Sequence, residues 1–199
     1  MPPAKPALLT GTSSEYLGRR ALPRILRERS NVIVLGPDGS GKTSVARRLA
    51  GDDPIYLDTR GTQDALVDYI SLRQWPPDIL QAGALVLDGP IWLRNRPAAV
   101  QAFCTLMRAR REACRRTFIC QSDYDGSAEE LIMAMEPGSL VVVGLRFPKG
   151  ARGRLRFARR MCDELGLPRT AARGTEILEP WGYARVTETL RQLAQAELG

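Results

Sequence analysis

A glycine-rich stretch at residues 36–43 has the clearest potential for chemistry in this sequence. It reads Gly-Pro-Asp-Gly-Ser-Gly-Lys-Thr and fits the phosphate-loop pattern G-x-x-x-x-G-K-[ST]. In such a loop backbone N–H groups point at phosphate oxygens, the Lys42 ammonium faces the β- and γ-phosphates, and the Thr43 hydroxyl can bind Mg²⁺. We therefore expect ATP or ADP to bind here with Mg²⁺. The residues expected to contact the nucleotide are Gly36, Pro37, Asp38, Gly39, Ser40, Gly41, Lys42, Thr43 and Ser44.

A second candidate is Asp88, the aspartate that ends the apolar run 84–87. A carboxylate at the carboxyl end of a buried strand can hold Mg²⁺ directly or through water. We assign the metal to Thr43 and Asp88. Asp58, which follows the preceding strand, is the alternative carboxylate for the metal. The alternative role for Asp88 is structural: its side chain would cap the turn at Gly89.

The composition excludes several kinds of chemistry. The chain contains no histidine, so Ser-His and Cys-His nucleophile pairs are ruled out and acid–base work falls to carboxylates. The four cysteines lack the CxxC spacing of zinc sites and fit small buried residues in a reducing compartment. No apolar run approaches the roughly 20 residues that cross a bilayer, and no secretory signal is recognisable. We expect a cytoplasmic protein without membrane association.

Alternating strand and helix patterns predict the fold. Short apolar, β-branched runs alternate with helical periodicity, which is typical of a parallel sheet with helices on both faces. The predicted strands are 31–35, 55–57, 84–87, 117–120 and 140–143. The predicted helices are 20–29 before the first strand, and 42–50, 62–72 and 97–114 between the strands. The predicted fold class is therefore α/β: a five-stranded parallel P-loop NTPase sheet flanked by helices, followed by a small all-α lid.

Three segments are expected along the chain. Residues 1–14 are predicted to be a flexible leader, 15–149 the nucleotide-binding α/β domain and 150–199 the lid, because only helical patterns follow Pro148. The lid opens with a basic cluster, in a chain of net charge +7, that comprises Arg152, Arg154, Arg156, Arg159 and Arg160. This cluster is suited to bind DNA phosphates or an acidic partner; the alternative is that it forms a solvated face of the helix. Few aromatic residues lie among the arginines, so contact with the DNA backbone is favoured over stacking on bases.

Taken with these motifs, residues 15–197 resemble the AAA+ class of P-loop ATPases. The segment 16–19 looks like the entry segment of the class, which lies against the adenine, and Ser122 falls where the class keeps its sensor-1 residue. The stretch 181–190 resembles the sensor-2 helix, with Arg185 where that helix's arginine reaches the γ-phosphate. The lid is similar to that of DnaA- and Hda-type bacterial initiators and regulators and, more loosely, of archaeal Orc-like ATPases. The resemblance implies catalytic roles for Lys42, Asp88, Ser122 and Arg185.

The sequence departs from active AAA+ ATPases at two positions. Gly89 stands where a second acid usually polarises the attacking water, so the general-base role is vacant unless another carboxylate takes it. The candidates for that role are Asp58, Asp123 and Glu136. The stretch 133–138 contains no arginine finger, a group that supplies on the order of 10³-fold in rate or more; Arg146 is the nearest candidate. We expect slow hydrolysis at most.

Three functions remain open on the sequence alone. The first is a nucleotide-dependent switch or assembly factor that acts on a protein partner, on another copy of itself or on DNA. The second is a nucleoside monophosphate-type kinase, because 38–42 resembles the loop of those enzymes and the arginine-rich stretch 146–160 could clamp a phosphate. No acceptor-binding Asp-Arg pair follows the third strand, which weighs against it. The third is a degenerate nucleotide-binding module for protein interactions.

Overall fold

The computed structural model describes residues 7–12, 16, 31–89, 96–122, 127–135, 139–178 and 181–198. The predicted helix 20–29 lies outside the described residues, as do residues 17–19 of the entry segment and the carboxylates Asp123 and Glu136.

Six parallel strands form a single sheet with the order β1-β6-β2-β5-β4-β3. They are β1 (Ala7–Gly11), β2 (Asn31–Leu35), β3 (Ile55–Leu57), β4 (Ala84–Asp88), β5 (Arg116–Gln121) and β6 (Leu140–Leu145). The predicted parallel α/β architecture is confirmed.

The predicted count of five strands is wrong. The sixth strand, β1, comes from the stretch assigned to the leader, and it pairs with β6 from Ala7 opposite Val141 to Gly11 opposite Leu145. This strand is short and follows a proline, and its hydrogen-bonding partner lies more than 130 residues away in the chain. Because β1 pairs with a sheet edge that forms only when the chain folds, the sequence of residues 7–11 alone is a weak indication of a strand.

Seven α-helices occur in the described residues. They are α1 (Lys42–Ala50), α2 (Thr59–Leu72), α3 (Pro77–Gln81), α4 (Pro97–Glu112), α5 (Ser127–Ala134), α6 (Gly150–Leu165) and α7 (Tyr183–Leu198), with 3-10 turns at Arg169–Ala172 and Thr175–Ile177. Helices α3 and α5 were not predicted, since each is too short for a clear helical period. None of these helices combines the length and hydrophobicity needed to cross a membrane.

Alternate residues of each strand pack into two separate cores, one on each face of the sheet. In β2, Val32 and Val34 pack with α1, α6 and α7, whereas Ile33 packs with α2, α3, α4 and α5. The helical segment after Gly150 therefore shares its core with α1, the helix that follows the glycine-rich loop. This packing holds α7 close to that loop.

A buried arginine stabilises the other face. Arg110 on α4 is fully buried; its Nε donates to Thr117 Oγ1 at 2.9 Å and its Nη2 to the Arg116 carbonyl at 2.7 Å. Its Nη1 also donates to the carbonyl of Ile79. Burial lowers the pKa of Arg110 to about 10, so the side chain stays charged at neutral pH. Arg110 thus joins α4 to β5 and α3 through polar contacts inside the protein.

Candidate nucleotide-binding site

The glycine-rich loop curls tightly between β2 and α1. The Gly36 N–H donates to the Gln121 carbonyl at 3.3 Å, which continues the pairing of β2 with β5. A Cβ at position 36 would lie 2.8 Å from Ser40 Oγ and 2.9 Å from the Leu145 carbonyl oxygen, so only glycine fits. Gly41 is the N-cap of α1, and no side chain caps this helix. The first-turn N–H groups, which have no partners inside the helix, therefore face the loop and are suited to bind an anion.

Lys42 is folded over the loop. Its Nζ donates to the Gly36 and Pro37 carbonyls at 3.0 and 3.1 Å and lies 3.3 Å from Asp38 Oδ1. The Lys42 side chain is 12% exposed and that of Asp38 is 88% exposed. Ser122, directly after β5, donates its hydroxyl to the same Asp38 oxygen at 3.2 Å. The structure thus brings Lys42 and Ser122 together through Asp38.

Thr43 and Asp88, the predicted metal ligands, are in direct contact. The Thr43 hydroxyl donates to Asp88 Oδ2 at 2.6 Å, since α1 begins beside the carboxyl end of β4. A hydroxyl and a carboxylate oxygen at the edge of the phosphate loop are the hard oxygen ligands that Mg²⁺ prefers, usually with water and phosphate completing its shell. These residues therefore fit the cation that the motif implies.

Tyr56 is a site residue that the sequence analysis missed. Its hydroxyl donates to Asp88 Oδ2 at 2.7 Å, and the Arg47 guanidinium lies 4.0 Å from the centre of its ring. Burial, followed by the hydrogen bond to Asp88, raises the pKa of Tyr56 to about 12. The Tyr56 proton therefore stays in place at neutral pH and orients the carboxylate. Only the pairing of β3 with β4, with Tyr56 opposite Val86, reveals that Tyr56 is close to Asp88.

A cleft of about 590 Å³ lies between the glycine-rich loop and α7. Its lining residues are Gly39, Gly41, Lys42, Thr43, Ser44, Leu165, Tyr183, Ala184, Thr187, Glu188 and Arg191. The Tyr183 N–H donates to the Gly39 carbonyl at 2.7 Å, so the start of α7 is attached to the loop. Nucleotide-sized ligands fit clefts of this volume.

The arginine that α7 contributes to this cleft is Arg191. Tyr183, Thr187 and Arg191 follow one another at intervals of four residues, which places them on one side of a helix. Arg185, expected to reach the γ-phosphate, is exposed and is not among the residues that line the cleft. Glu188, which no sequence motif indicated, lies on the cleft side of the same helix.

The residue after Asp88 has a backbone conformation that favours glycine. Gly89 has a φ of +78°, and a Cβ there would lie 2.5 Å from Thr59 Oγ1. Asp58, one candidate for the missing acid, accepts a hydrogen bond from the Gly61 N–H at 2.8 Å and caps α2. Its carboxylate is therefore engaged in holding the helix start.

Asp38 competes with phosphate for the loop lysine, because its carboxylate lies beside Lys42 Nζ. We expect Asp38→Asn to tighten ATP binding by up to about fivefold, since a surface ion pair of this kind contributes at most about 1 kcal/mol. Titration of a fluorescent ATP analogue at low and high salt measures the change, and the gain should shrink as salt screens the charge. Asp64→Asn, on the exposed side of α2, is the matched control. Weaker binding by the Asp38 variant would show that this carboxylate assists the ligand.

No protein-family model matches the sequence, and no curated protein matches it either. Solved structures do match. Domain III of the replication initiation protein DnaA from Thermotoga maritima aligns with 94% of this chain and 85% of its own, at 15% identity and a TM-score of 0.61. AMPPCP-bound DnaA from Aquifex aeolicus aligns with 91% of this chain and 58% of its own, at 15% identity and 0.58. A DnaA bound to AMPPCP and single-stranded DNA aligns with 85% and 58%, at 14% identity and 0.59.

These likenesses show the class of fold: the chain has an AAA+ fold like that of DnaA domain III. Within that class it resembles the DnaA-type initiators, as the sequence motifs predicted. The chain spans most of the isolated domain III but only 58% of the two longer DnaA chains. At identities near 15% the likeness concerns the fold alone.

Proposed function

We propose that this chain binds ATP with Mg²⁺ and acts as a nucleotide-dependent switch or assembly factor with weak or no ATPase activity. The observation that carries the proposal is that Lys42 and Thr43 line a cleft that α7 borders, with Asp88 in contact with the Thr43 hydroxyl. AMPPCP, a triphosphate analogue, is bound in two of the structural neighbours, which supports a nucleotide here. One of those two also binds single-stranded DNA, which supports DNA as the partner of the switch.

The contacts around Lys42 define how the loop would receive a triphosphate. Nζ must leave the Gly36 and Pro37 carbonyls, and it would exchange them for phosphate oxygens, which are stronger acceptors. The first-turn N–H groups of α1 would donate to the same phosphates. Mg²⁺ held by Thr43 and Asp88 would neutralise part of the phosphate charge, with Tyr56 keeping the carboxylate in orientation.

The helix α7 is the element that we propose to respond to the nucleotide. It contacts the loop through Tyr183 and Gly39, and it presents Arg191 to the cleft. An arginine contact that exists with ATP and is lost with ADP gives the two states different stabilities, which is what a switch requires. Helix α7 packs with α6 through the core that they share. A movement of α7 would therefore also move α6, which carries the basic cluster.

Weak hydrolysis follows from the position after Asp88. Gly89 lacks an acidic side chain, and a Cβ there would displace the Thr59 hydroxyl. Without a carboxylate to orient water, binding persists while the chemical step is slow.

Thermal unfolding together with turnover tests the proposed function. At a nucleotide concentration about 100 times Kd, ATP with Mg²⁺ should stabilise the protein by about 2.7 kcal/mol, which raises the melting temperature by roughly 5–10 °C. Phosphate release by the isolated protein should remain near background. Phosphorylation of a nucleoside monophosphate would instead identify a kinase. Absence of stabilisation by every triphosphate with Mg²⁺ would refute a nucleotide site.

The proposed role of Arg191 is tested by paired variants on α7. Arg191→Gln should reduce the preference for ATP over ADP by roughly tenfold, the value of one charge-assisted hydrogen bond to the terminal phosphate. Arg185→Gln makes the same chemical change on the same helix and should leave the preference unchanged, because Arg185 lies outside the cleft lining. Competition titrations with ATP and ADP measure both. If only the Arg185 variant loses the preference for ATP over ADP, then Arg185 contacts the γ-phosphate, as the sequence predicts.

A further inference from the structure

The outer side of α2 carries two neighbouring apolar side chains that are open to solvent. On its inner side this helix buries Thr62, Ala65 and Leu66. On the outer side Val67 and Ile70 are 53% and 50% exposed. They are three residues apart, so they are neighbours on the helix surface. Adjacent apolar side chains of this kind differ from the scattered single ones that are ordinary on protein surfaces.

The segment that contains α2 is acidic in a basic chain. Residues 52–78 include six aspartates, no glutamate and two arginines, a net charge of −4, whereas the whole chain has a net charge of +7. The exposed residues Asp64 and Asp68 lie in the central turns of α2, and neither forms an ion pair with a described residue. Arg60 and Arg73 are at the two ends of the helix. The middle of α2 therefore presents two apolar side chains bordered by two carboxylates.

The negative charge of this surface argues against several occupants. Nucleic acid would be repelled by the carboxylates, and a second copy of α2 would bring the same negative charge against them. The basic helix α6 of a second copy has a favourable charge, but its apolar residues Phe157, Ala158 and Met161 are buried in the core of its own molecule. The occupant that fits both features is a segment of another protein that combines apolar and basic residues.

We propose that α2 docks an amphipathic helix of a partner protein, with lysines or arginines beside its apolar stripe. The apolar residues of the partner would pack on Val67 and Ile70, and its basic residues would reach Asp64 and Asp68. One helix against one helix buries less than the about 1,600 Å² of a standard interface, so Kd should be roughly 10–100 µM. None of these four residues lines the nucleotide cleft, so the proposal goes beyond the function proposed above and does not rest on it.

Two matched peptides test the chemistry of the partner. Both are synthetic, fluorescein-labelled helical peptides of about 18 residues with leucines at the same positions, and they differ only in carrying lysine or glutamate beside the leucines. Fluorescence anisotropy measures binding to the full chain at 50 and 300 mM salt. The lysine peptide should bind at least tenfold more tightly than the glutamate peptide at 50 mM salt, and this difference should shrink at 300 mM, because salt screens exposed charges.

Two double variants of α2 test the docking surface. Val67→Ser/Ile70→Ser should bind the lysine peptide at least fivefold more weakly at both salt concentrations, because apolar burial is lost. Asp64→Asn/Asp68→Asn should bind it at least threefold more weakly at 50 mM salt and less so at 300 mM. All four side chains are exposed, so the fold should survive, and circular dichroism checks this.

Matched variants elsewhere on the surface separate docking from general attraction. Met133→Ser removes an apolar side chain on α5 that is 80% exposed, and Glu112→Gln/Glu129→Gln removes two exposed negative charges. Both should keep the affinity for the lysine peptide within about twofold. If the glutamate variant lost as much as the Asp64→Asn/Asp68→Asn protein, binding would reflect net charge alone and the proposal would be overturned.

Three further outcomes would overturn the proposal. They are equal binding of the lysine and glutamate peptides, no binding of the lysine peptide, and unchanged affinity in the Val67→Ser/Ile70→Ser protein. Sedimentation velocity of the chain alone tests a second copy as the occupant: a dimer that this double variant abolishes would replace the partner helix by another molecule of the same chain. All measurements are made without nucleotide, so a failed nucleotide site would leave their outcome unchanged.

Discussion

Lys42→Ala is expected to weaken ATP binding on the order of 100-fold. The ammonium group lies against the loop, and its charge-assisted bonds to phosphate oxygens contribute about 3 kcal/mol. In the free protein the same group donates to two loop carbonyls, so the variant leaves these acceptors without their donor and offers the ligand no compensating charge. Titration of a fluorescent ATP analogue, repeated by calorimetry, measures the loss.

A second lysine supplies the control for this experiment. Lys149→Ala makes the identical chemical change at the start of α6, away from the nucleotide cleft, and should bind ATP like the wild type. Circular dichroism of the Lys42 variant checks that the fold is intact. Wild-type affinity in a folded Lys42→Ala protein would show that the loop does not bind the triphosphate through this residue.

Asp88→Asn is expected to abolish the dependence of ATP binding on Mg²⁺. For the wild type we expect binding at least tenfold tighter with Mg²⁺ than with a chelator, because the carboxylate supports the cation that neutralises the phosphates. In the variant this ratio should approach one. The amide has nearly the same shape, and its oxygen can still accept from Thr43 and Tyr56, so the local structure should survive. Parallel titrations with Mg²⁺ and with EDTA give the ratio directly.

Asp58→Asn is the matched control, and it also tests the alternative carboxylate. Asp58 caps α2 through the Gly61 N–H, and asparagine caps helices as well as aspartate does. This variant should therefore keep both its stability and its Mg²⁺ dependence. The opposite pattern, with Mg²⁺ dependence lost in the Asp58 variant and kept in the Asp88 variant, would transfer the metal to Asp58.

The phosphate loop and the strand-ending aspartate were predictable because their signals are local. Glycines at fixed spacing, followed by Lys42 and Thr43, describe a single turn between a strand and a helix, and all parts of that turn are neighbours in sequence. The sequence assigned Thr43 and Asp88 to one metal ion, and in the structure these residues, 45 positions apart, are in contact. It follows from a general property of parallel sheets, in which strand ends and helix starts meet at one edge.

The arginine of α7 that reaches the nucleotide is a less local question. The motif around residues 181–190 predicted Arg185, but a shift of a few positions along a helix turns a side chain to another side. Which side of α7 faces the loop is set by its packing: Val186 and Leu190 are buried in the core shared with α6. That packing places Arg191 in the lining of the cleft and Arg185 outside it, although both side chains are exposed, and the contact of Arg185 with the γ-phosphate stays a prediction.

The sequence by itself determined the α/β class, the AAA+ resemblance, the loop with Lys42 and Thr43, and the place of Asp88, because each depends on patterns within a few turns of chain. Only the tertiary structure decided that β1 completes the sheet, that Asp38 engages Lys42, and that Tyr56 orients Asp88. It also sorted the arginines, by burying Arg110 and placing Arg191 in the lining of the nucleotide cleft. Arginines look alike in a sequence, and their roles diverge only when distant segments pack and set the charge and burial around each one.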